Sequence, residues 1–322
     1  MSQQRAKRIC VFGSYNVDVV ANVPRFPVPG ESLIAKDSAT GPGGKGINQA
    51  VAASYSGARV HFIGKVGDDD YGKIAKNYLK EVNIDVHTLF ISETKSTGLA
   101  LIYVAEGNAE NMIAVNPGAN LDVTEQEVNR CLPVVKASDI LLTQLENNID
   151  ALDSLISSAY LSGVYTVVNP APYQNVPRGL FAKINLITPN ATEATLLTGI
   201  DVVDVDSASK AAKTLHEFGV ESVIVTLGSM GALLLENNRV MHIPRFPANA
   251  IDTTGAGDAF NGSLVAALAE GKSLYDAAMY AGAYAACAVE NHGTAIAMPA
   301  KSAALEKLEA HNQMHLQYEM AE

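Results

Sequence analysis

The chain has 322 residues, enough to bury a large core in one α/β domain or two smaller ones. Apolar residues make up 48% and charged residues 18%, which excludes a disordered polar chain. The formal net charge of −11 argues against a nucleic-acid or anionic-membrane surface, although glycine turns can still hold a small phosphate.

Taken in order, residues 8–12 read as a buried strand ending at Gly13, and 17–23 as a second strand. Asn16 and Asp18 fall at the turn between them, where both residue types are at home. They also break the first apolar run, so no signal peptide is expected. Pro24, Pro27 and Pro29-Gly30 rule out a helix, and 31–40 reads as an exposed strand. The glycine cluster Gly41-Pro42-Gly43-Gly44-Lys45-Gly46 then leads into a helix of small residues at 51–55. Gly41, Gly43 and Gly46 have the spacing of a dinucleotide turn, the mark of an NAD-dependent oxidoreductase. The polar segment before them is not the buried strand such a turn follows. Nor is Lys45 a P-loop lysine, since Gly46 stands where Ser or Thr is needed.

Residues 60–64 read as a strand, and Asp68-Asp69-Asp70 as the N-terminus of a helix at 71–81. Two strands at 97–105 and 112–115 flank the polar turn Glu106-Gly107-Asn108. From Ser138 onward strands (140–142, 165–168, 185–188, 223–225) alternate with helices (149–162, 191–197, 208–218). That order predicts a mostly parallel sheet covered by helices on both faces. Helices at 273–290 and 300–311 end the chain, and the polar tail after Asn312 is expected to fray. The apolar region 264–289 carries Glu270, Lys272 and Asp276, too much charge for a membrane span, so the expected location is cytoplasmic. Cys10, Cys131 and Cys287 are widely spaced and suit core packing in a reducing compartment. The seven histidines are scattered and form no metal motif.

Ligands of such sheets bind beyond the carboxyl ends of the strands. Gln144-Leu145-Glu146, Asn169-Pro170-Ala171-Pro172, Asn190 and Thr226-Leu227-Gly228-Ser229 all fall there. Two of these have plainer readings. Asn190 and Glu193 fit a helix capping box, and Gly228 with Gly231 fits a hairpin turn. The most informative stretch is Asp252-Thr253-Thr254-Gly255-Ala256-Gly257-Asp258, a glycine turn opening an apolar helix. Free N–H groups and the helix dipole make such an opening an anion site. Asp258 beside it is either a dipole-complementing acid or a general base that takes a hydroxyl proton while the N–H groups hold a phosphoryl group.

The early run Gly43-Gly44-Lys45-Gly46-x-Asn48-Gln49-Ala50, the late run 252–258 and Asn190-x-x-Glu193 between them resemble the ribokinase-type carbohydrate kinase family from about Lys7 to Leu308. The resemblance implies a ribokinase-like three-layer α/β/α fold, one catalytic domain over 1–322, with a small β-sheet lid from segments 14–42 and 96–117. It implies transfer of the ATP γ-phosphoryl group to the primary hydroxyl of D-ribose, with another sugar or a nucleoside (deoxyribose among them) as the alternative acceptor. Asp258 would be the base, and the backbone of Gly255, Ala256, Gly257 and Asp258 the anion hole. Asn16, Asp18, Gly43, Gly44, Lys45, Asn48 and Glu146 would hold the sugar. Asn190, Glu193, Thr226, Leu227, Gly228, Ser229, Gly231, Gly257 and Gly282 would face Mg²⁺·ATP, with Glu193 nearest the magnesium-bearing phosphates. Asp252, Thr254, Ala288, Asn291 and Gly293 would hold a potassium ion, although Ala297 and Ile296 replace the serine and proline common in the family. Gly282 stands where some members carry a histidine near adenine. The lid would also join two subunits in a homodimer.

Overall fold

The computed structural model describes residues 7–105 and 111–319. In β1 (Arg8–Phe12) Ile9 and Val11 enter one core cluster, and Cys10 and Phe12 the other. Successive side chains of a strand point to opposite faces, so β1 is covered on both sides, as in the middle of a parallel sheet. It pairs in parallel with β4 (Arg59–Gly67) and β8 (Ile140–Thr143). Beyond these lie β5 (Val86–Ser92), β9 (Tyr165–Val168), β10 (Leu186–Ile187), β11 (Ser222–Thr226), β12 (Ala232–Glu236) and β13 (Arg239–Ile243). The sheet order is β13-β12-β11-β10-β9-β8-β1-β4-β5, parallel except at β12, which runs against both neighbours.

One face is covered by α1 (Lys45–Tyr55), α2 (Asp70–Glu81), α7 (Ala256–Ala269), α8 (Leu274–Ala288) and α9 (Lys301–Glu319). The other is covered by α3 (Glu125–Lys136), α4 (Ile149–Leu161), α5 (Ala191–Thr198) and α6 (Val205–Glu217). This is the expected α/β/α layering. Among the described residues no helix is long and apolar enough to cross a membrane. A separate four-stranded sheet has the order β3-β2-β6-β7, built from β2 (Asn16–Val23), β3 (Asp37–Gly43), β6 (Gly98–Ala105) and β7 (Asn111–Asn116). In it β2 and β6 are parallel and the outer pairs antiparallel.

Several boundaries differ from the sequence reading. Asn16 and Asp18 are strand residues, because β2 starts at Asn16 and pairs on both sides from its first residue. The third strand starts at Asp37 and runs through Pro42 to Gly43, which an edge position permits. Four elements were not anticipated. These are β5, α3 with its internal Pro133, and the hairpin β12–β13, which turns at Asn237 and Asn238 with φ 49° and 59°. The last helix continues past Asn312 to Glu319 rather than fraying. The turn expected at Glu106-Gly107-Asn108 lies outside the described residues.

The acidic trio behaves as expected, with Asp69 capping α2 through the Gly72 amide at 2.7 Å. The contact that matters most for the site is between α1 and α7. Gly262 lies one turn after Asp258 in α7, and a Cβ there would come within 2.3 Å of the Gln49 carbonyl oxygen and 2.6 Å of the Ala52 Cβ. Two helix backbones therefore touch with no side chain between them. Gly262→Ala should gain about 1 kcal/mol of helix propensity but lose about 1–3 kcal/mol to overpacking against atoms that cannot rotate away. We expect a lower denaturation midpoint in urea and reduced turnover, although Gly262 itself contacts no ligand. An unchanged midpoint would contradict the tight fit.

Candidate active site

Gly255 turns the chain into α7 at φ 78°, a left-handed conformation that disfavours side chains. The Ala256 amide donates back to the Thr253 carbonyl at 3.2 Å, so it is turned inward and leaves the expected anion hole. The amides of Gly257 and Asp258 remain at the open end of the helix, where the first N–H groups have no intrahelical acceptor. Gly255 shapes the turn, and Gly257 and Asp258 are left to hold the anion.

The Asp258 side chain is 5% exposed. Its Oδ2 accepts from Asn48 Nδ2 at 3.0 Å and its Oδ1 from Gln49 Nε2 at 2.9 Å. Both donors come from the first turns of α1, delivered there by the contact at Gly262. Asn48 Oδ1 is buried and has no hydrogen-bond partner in the protein.

A polar pocket brings together the other residues expected to hold the sugar. Asp18 extends from β2 over Gly43, where a Cβ would fall 1.9 Å from its Oδ1, so only glycine leaves the carboxylate its room. Burial raises the Asp18 carboxyl to about 6, helped by the nearby Glu146 and Asp258 carboxylates and opposed by Thr294 and Lys45. Glu146 Oε2 accepts the Lys45 amide at 2.9 Å and the Ser14 hydroxyl, so this carboxylate also complements the N-terminus of α1. Burial pushes the Lys45 ammonium down, but the carboxylates of Asp258, Glu146, Glu193 and Asp18 outweigh it and hold the group above its ordinary value. Asn16 Oδ1 accepts from Asn120 Nδ2 at 2.8 Å, and Asn120 also clamps the Tyr15 backbone on both sides. Gly44 opens α1 at φ 96°.

A cavity of about 400 Å³ lies on the other side of the α7 start. Thr226, Gly228, Ser229, Gly231, Gly257 and Gly282 line it, as the sequence reading expected. Leu227, Asn190 and Glu193 do not. Leu227 is buried beneath the turn and its amide donates to Gly231, so Gly228 and Gly231 do form the hairpin between β11 and β12. Asn190 and Glu193 form the complete capping box of α5. Asn190 Oδ1 takes the Glu193 amide at 2.8 Å, while the two Glu193 oxygens take the Asn190 backbone and side-chain N–H groups, each at 2.9 Å. Burial raises the Glu193 carboxyl, against the lowering effect of the Asn190 amide. Its charge is felt at Lys45 and at Asp258.

Asp252 ties two loops together, its Oδ1 taking the Thr254 amide at 2.9 Å and its Oδ2 the Gly293 amide at 3.0 Å. Asn291 sits in the second loop, donating its amide to the Ala288 carbonyl at 3.1 Å. The five residues expected at a cation thereby lie on or beside two loops that Asp252 joins.

The dinucleotide reading of Gly41, Gly43 and Gly46 fails on position. Gly41 and Gly43 belong to an edge strand of the small sheet, not to a turn after a buried strand. Three contributors carried no usable sequence signal. Ser14 joins Glu146 to the Gly46 amide, Thr294 joins Asp18 to the Pro42 carbonyl, and the Phe246 ring fills the space beside Gly282. Each is an isolated residue whose role depends on a distant element.

Comparison with known proteins agrees with this geometry. The model of the pfkB family carbohydrate kinases matches residues 6–301. A ribokinase of Haemophilus influenzae is 41% identical over 303 residues, covering 94% of this chain and 99% of the relative. A ribokinase crystal structure from Thermotoga maritima has a TM-score of 0.85 at 32% identity, covering 94% of this chain and 99% of its own. A structure of Arabidopsis thaliana ribokinase complexed with ribose and ATP has a TM-score of 0.85 at 29% identity, with the same coverage. With a family model matched over nearly the whole chain and relatives alike in both sequence and fold, the chain belongs to the pfkB family of carbohydrate kinases.

Proposed function

We propose that the chain transfers the γ-phosphoryl group of ATP to O5 of D-ribose, giving D-ribose 5-phosphate. The observation that carries this reading is the position of Asp258. It lies in the first turn of α7, next to Gly257 at the wall of the 400 Å³ cavity, under the Asn48 and Gln49 amides, and Lys45, Asp18 and Glu193 feel its charge. The O5 hydroxyl gives its proton to the Asp258 carboxylate as its oxygen attacks the γ-phosphorus. The bond from that phosphorus to the ADP oxygen breaks, and the charge on the transferring oxygens falls on the Gly257 and Asp258 amides. Asp18 and Glu146 accept from the remaining sugar hydroxyls, Asn48 lies beside them, and Lys45 donates. A sugar with adjacent hydroxyls suits so dense a set of acceptors.

ATP fits the cavity between Phe246 and the Thr226–Gly231 turn, and its use as donor suits a cytoplasmic enzyme. Magnesium would neutralise the nucleotide phosphates, with Glu193 as the carboxylate that would face it. Potassium would be held by oxygens of Asp252, Thr254, Ala288, Asn291 and Gly293 and would stiffen the loop that feeds α7. The small sheet acts as a lid that keeps water, a competing acceptor, from the phosphoryl group.

The same sheet supports pairing of two copies. Tyr103 and Met112 are cross-strand partners, Leu101 shares their face, and all three are exposed.

Coupled ADP release with Mg²⁺·ATP should be fast on D-ribose, slower on deoxyribose and nucleosides, and higher in potassium than in sodium. No ADP release on any sugar would overturn the reading, and turnover confined to another acceptor would move the substrate. Light scattering should give twice the monomer mass, and Met112→Lys should return it to one. A single-copy mass for the unmodified chain would refute the lid pairing. The Asp18 carboxyl titrates near 6, so ribose affinity should weaken as pH falls through 6 and should lose that pH dependence in Asp18→Asn. The sign for stability is opposite. The folded chain holds this proton more tightly than the unfolded one, whose ordinary value is 3.8, so Asp18 lowers stability as pH rises from 3.8 to 6. Asp18→Asn should therefore unfold at higher urea at pH 7 while binding ribose poorly, and a lower midpoint would contradict this.

A further inference from the structure

The family's reaction leaves a set of buried amides unexplained. Gln49, Gln144, Asn169 and Asn261, with the Thr188 hydroxyl, are each at most 6% exposed. Their hydrogen bonds form one chain, and its direction is fixed from one end. The Thr188 carbonyl can only accept, and Asn169 Nδ2 donates to it at 3.0 Å. Asn169 Oδ1 must then face Gln49 and accept Gln49 Nε2 at 3.0 Å. The same Gln49 Nε2 reaches Asp258 Oδ1 at 2.9 Å, so both of its hydrogens are committed. Gln49 Oε1 is thereby left to accept Gln144 Nε2 at 2.7 Å. Turning the Gln49 amide over would set its oxygen against two acceptors and its NH₂ against another NH₂.

A second branch starts from the same residue. The Thr188 hydroxyl donates to Asn261 Oδ1 at 2.5 Å, and Asn261 Nδ2 donates to the Gly257 carbonyl at 2.8 Å. The peptide preceding Asp258 and the side chain of Asp258 are thus both fixed from the end of β10. Helix α1 supplies the donors, and the sheet dictates which way they point.

We propose that Gln49 is a positioning residue for phosphoryl transfer. Its amide, locked by Asn169 and Gln144, holds the Asp258 carboxylate at one angle to the acceptor hydroxyl. This rests on Asp258 being the base. Gln49, Asn169 and Gln144 thereby gain a kinetic role exerted through Asp258.

The test compares kcat with dissociation constants for ribose and for Mg²⁺·ATP measured by calorimetry, on the full chain at pH 8. Gln49→Met removes the donor at similar volume, and Gln49→Glu keeps the shape while placing oxygen where hydrogen is needed. Both should lose kcat by about 100-fold, with both dissociation constants within about threefold of the parent. Gln144→Met should lose about tenfold alone, and adding it to Gln49→Met should cost less than about threefold more, since Gln144 acts only through Gln49. Parent-like kcat in both Gln49 variants, or losses that simply multiply in the double variant, would overturn the proposal. A merely structural role would instead weaken binding and lower the melting temperature without singling out kcat. If the Gln49 variants do not fold, Gln144→Met, which does not touch Asp258, decides alone by the same split. Asp258→Asn is run alongside and should keep binding while losing about 100-fold or more in kcat. Retained turnover there defeats the base assignment itself, whereas a dead Asp258→Asn with active Gln49 variants defeats only the positioning role.

Discussion

The bare contact between α1 and α7 is the constraint on which the site depends. Gly262 lets the two helices approach until backbone meets backbone, and the approach occurs one turn from Asp258. A buried carboxylate without donors would be unfavourable, since burial penalises the charged form. The contact supplies two amide donors from adjacent positions of α1, and both reach the same carboxylate. Helix packing and solvation of the reactive group are therefore one event, which explains why small residues dominate the α1 surface. Ala50, Ala52 and Ala53 fill the interface without holding the helices apart.

Electrostatics impose a second order on the pocket. Four carboxylates act on one ammonium, that of Lys45, and burial of the group does not reverse their effect. Each acid has a local anchor besides its proposed chemical role. Glu146 sits at the α1 start, Glu193 in the α5 capping box, Asp258 under two amides and Asp18 beside Thr294. Asp18 has the weakest of these anchors, a contact of 3.5 Å, which offsets little of the rise to about 6 that burial imposes on its carboxyl. In the proposed reaction a monovalent cation would offset part of the remaining negative charge.

The sequence made the site more legible than the boundaries around it. The two glycine runs and the capping box state their geometry locally. Gly255 and Asp258 could be placed at a helix start, and Asn190 with Glu193 at another, before any fold was known. The central sheet was equally plain, because β1 and β8 to β11 are short apolar runs separated by helices. What stayed hidden depends on partners far along the chain. Thr294 is read only once the loop after α8 is seen against β3, and Phe246 only once its ring is seen against Gly282. The inward turn of the Ala256 amide is likewise a backbone detail that residue types do not encode. The small sheet was misjudged at its start because Asn16 and Asp18 are turn-prone residues that tertiary pairing holds extended.

That pairing sets a rule for how this enzyme can change over time. Asp18 lies opposite Gly41, and Asn16 opposite Gly43, so the pocket floor is written in the alignment of two neighbouring strands. Gain or loss of a single residue within β2 or β3 would turn Asp18 to the wrong face of the sheet and bring a side chain into the space Gly43 leaves. The connection at 24–36 carries no such bookkeeping. Lineages descended from this chain should vary freely in length there and stay invariant in length across 37–43, so insertions and deletions will map where the acceptor pocket begins.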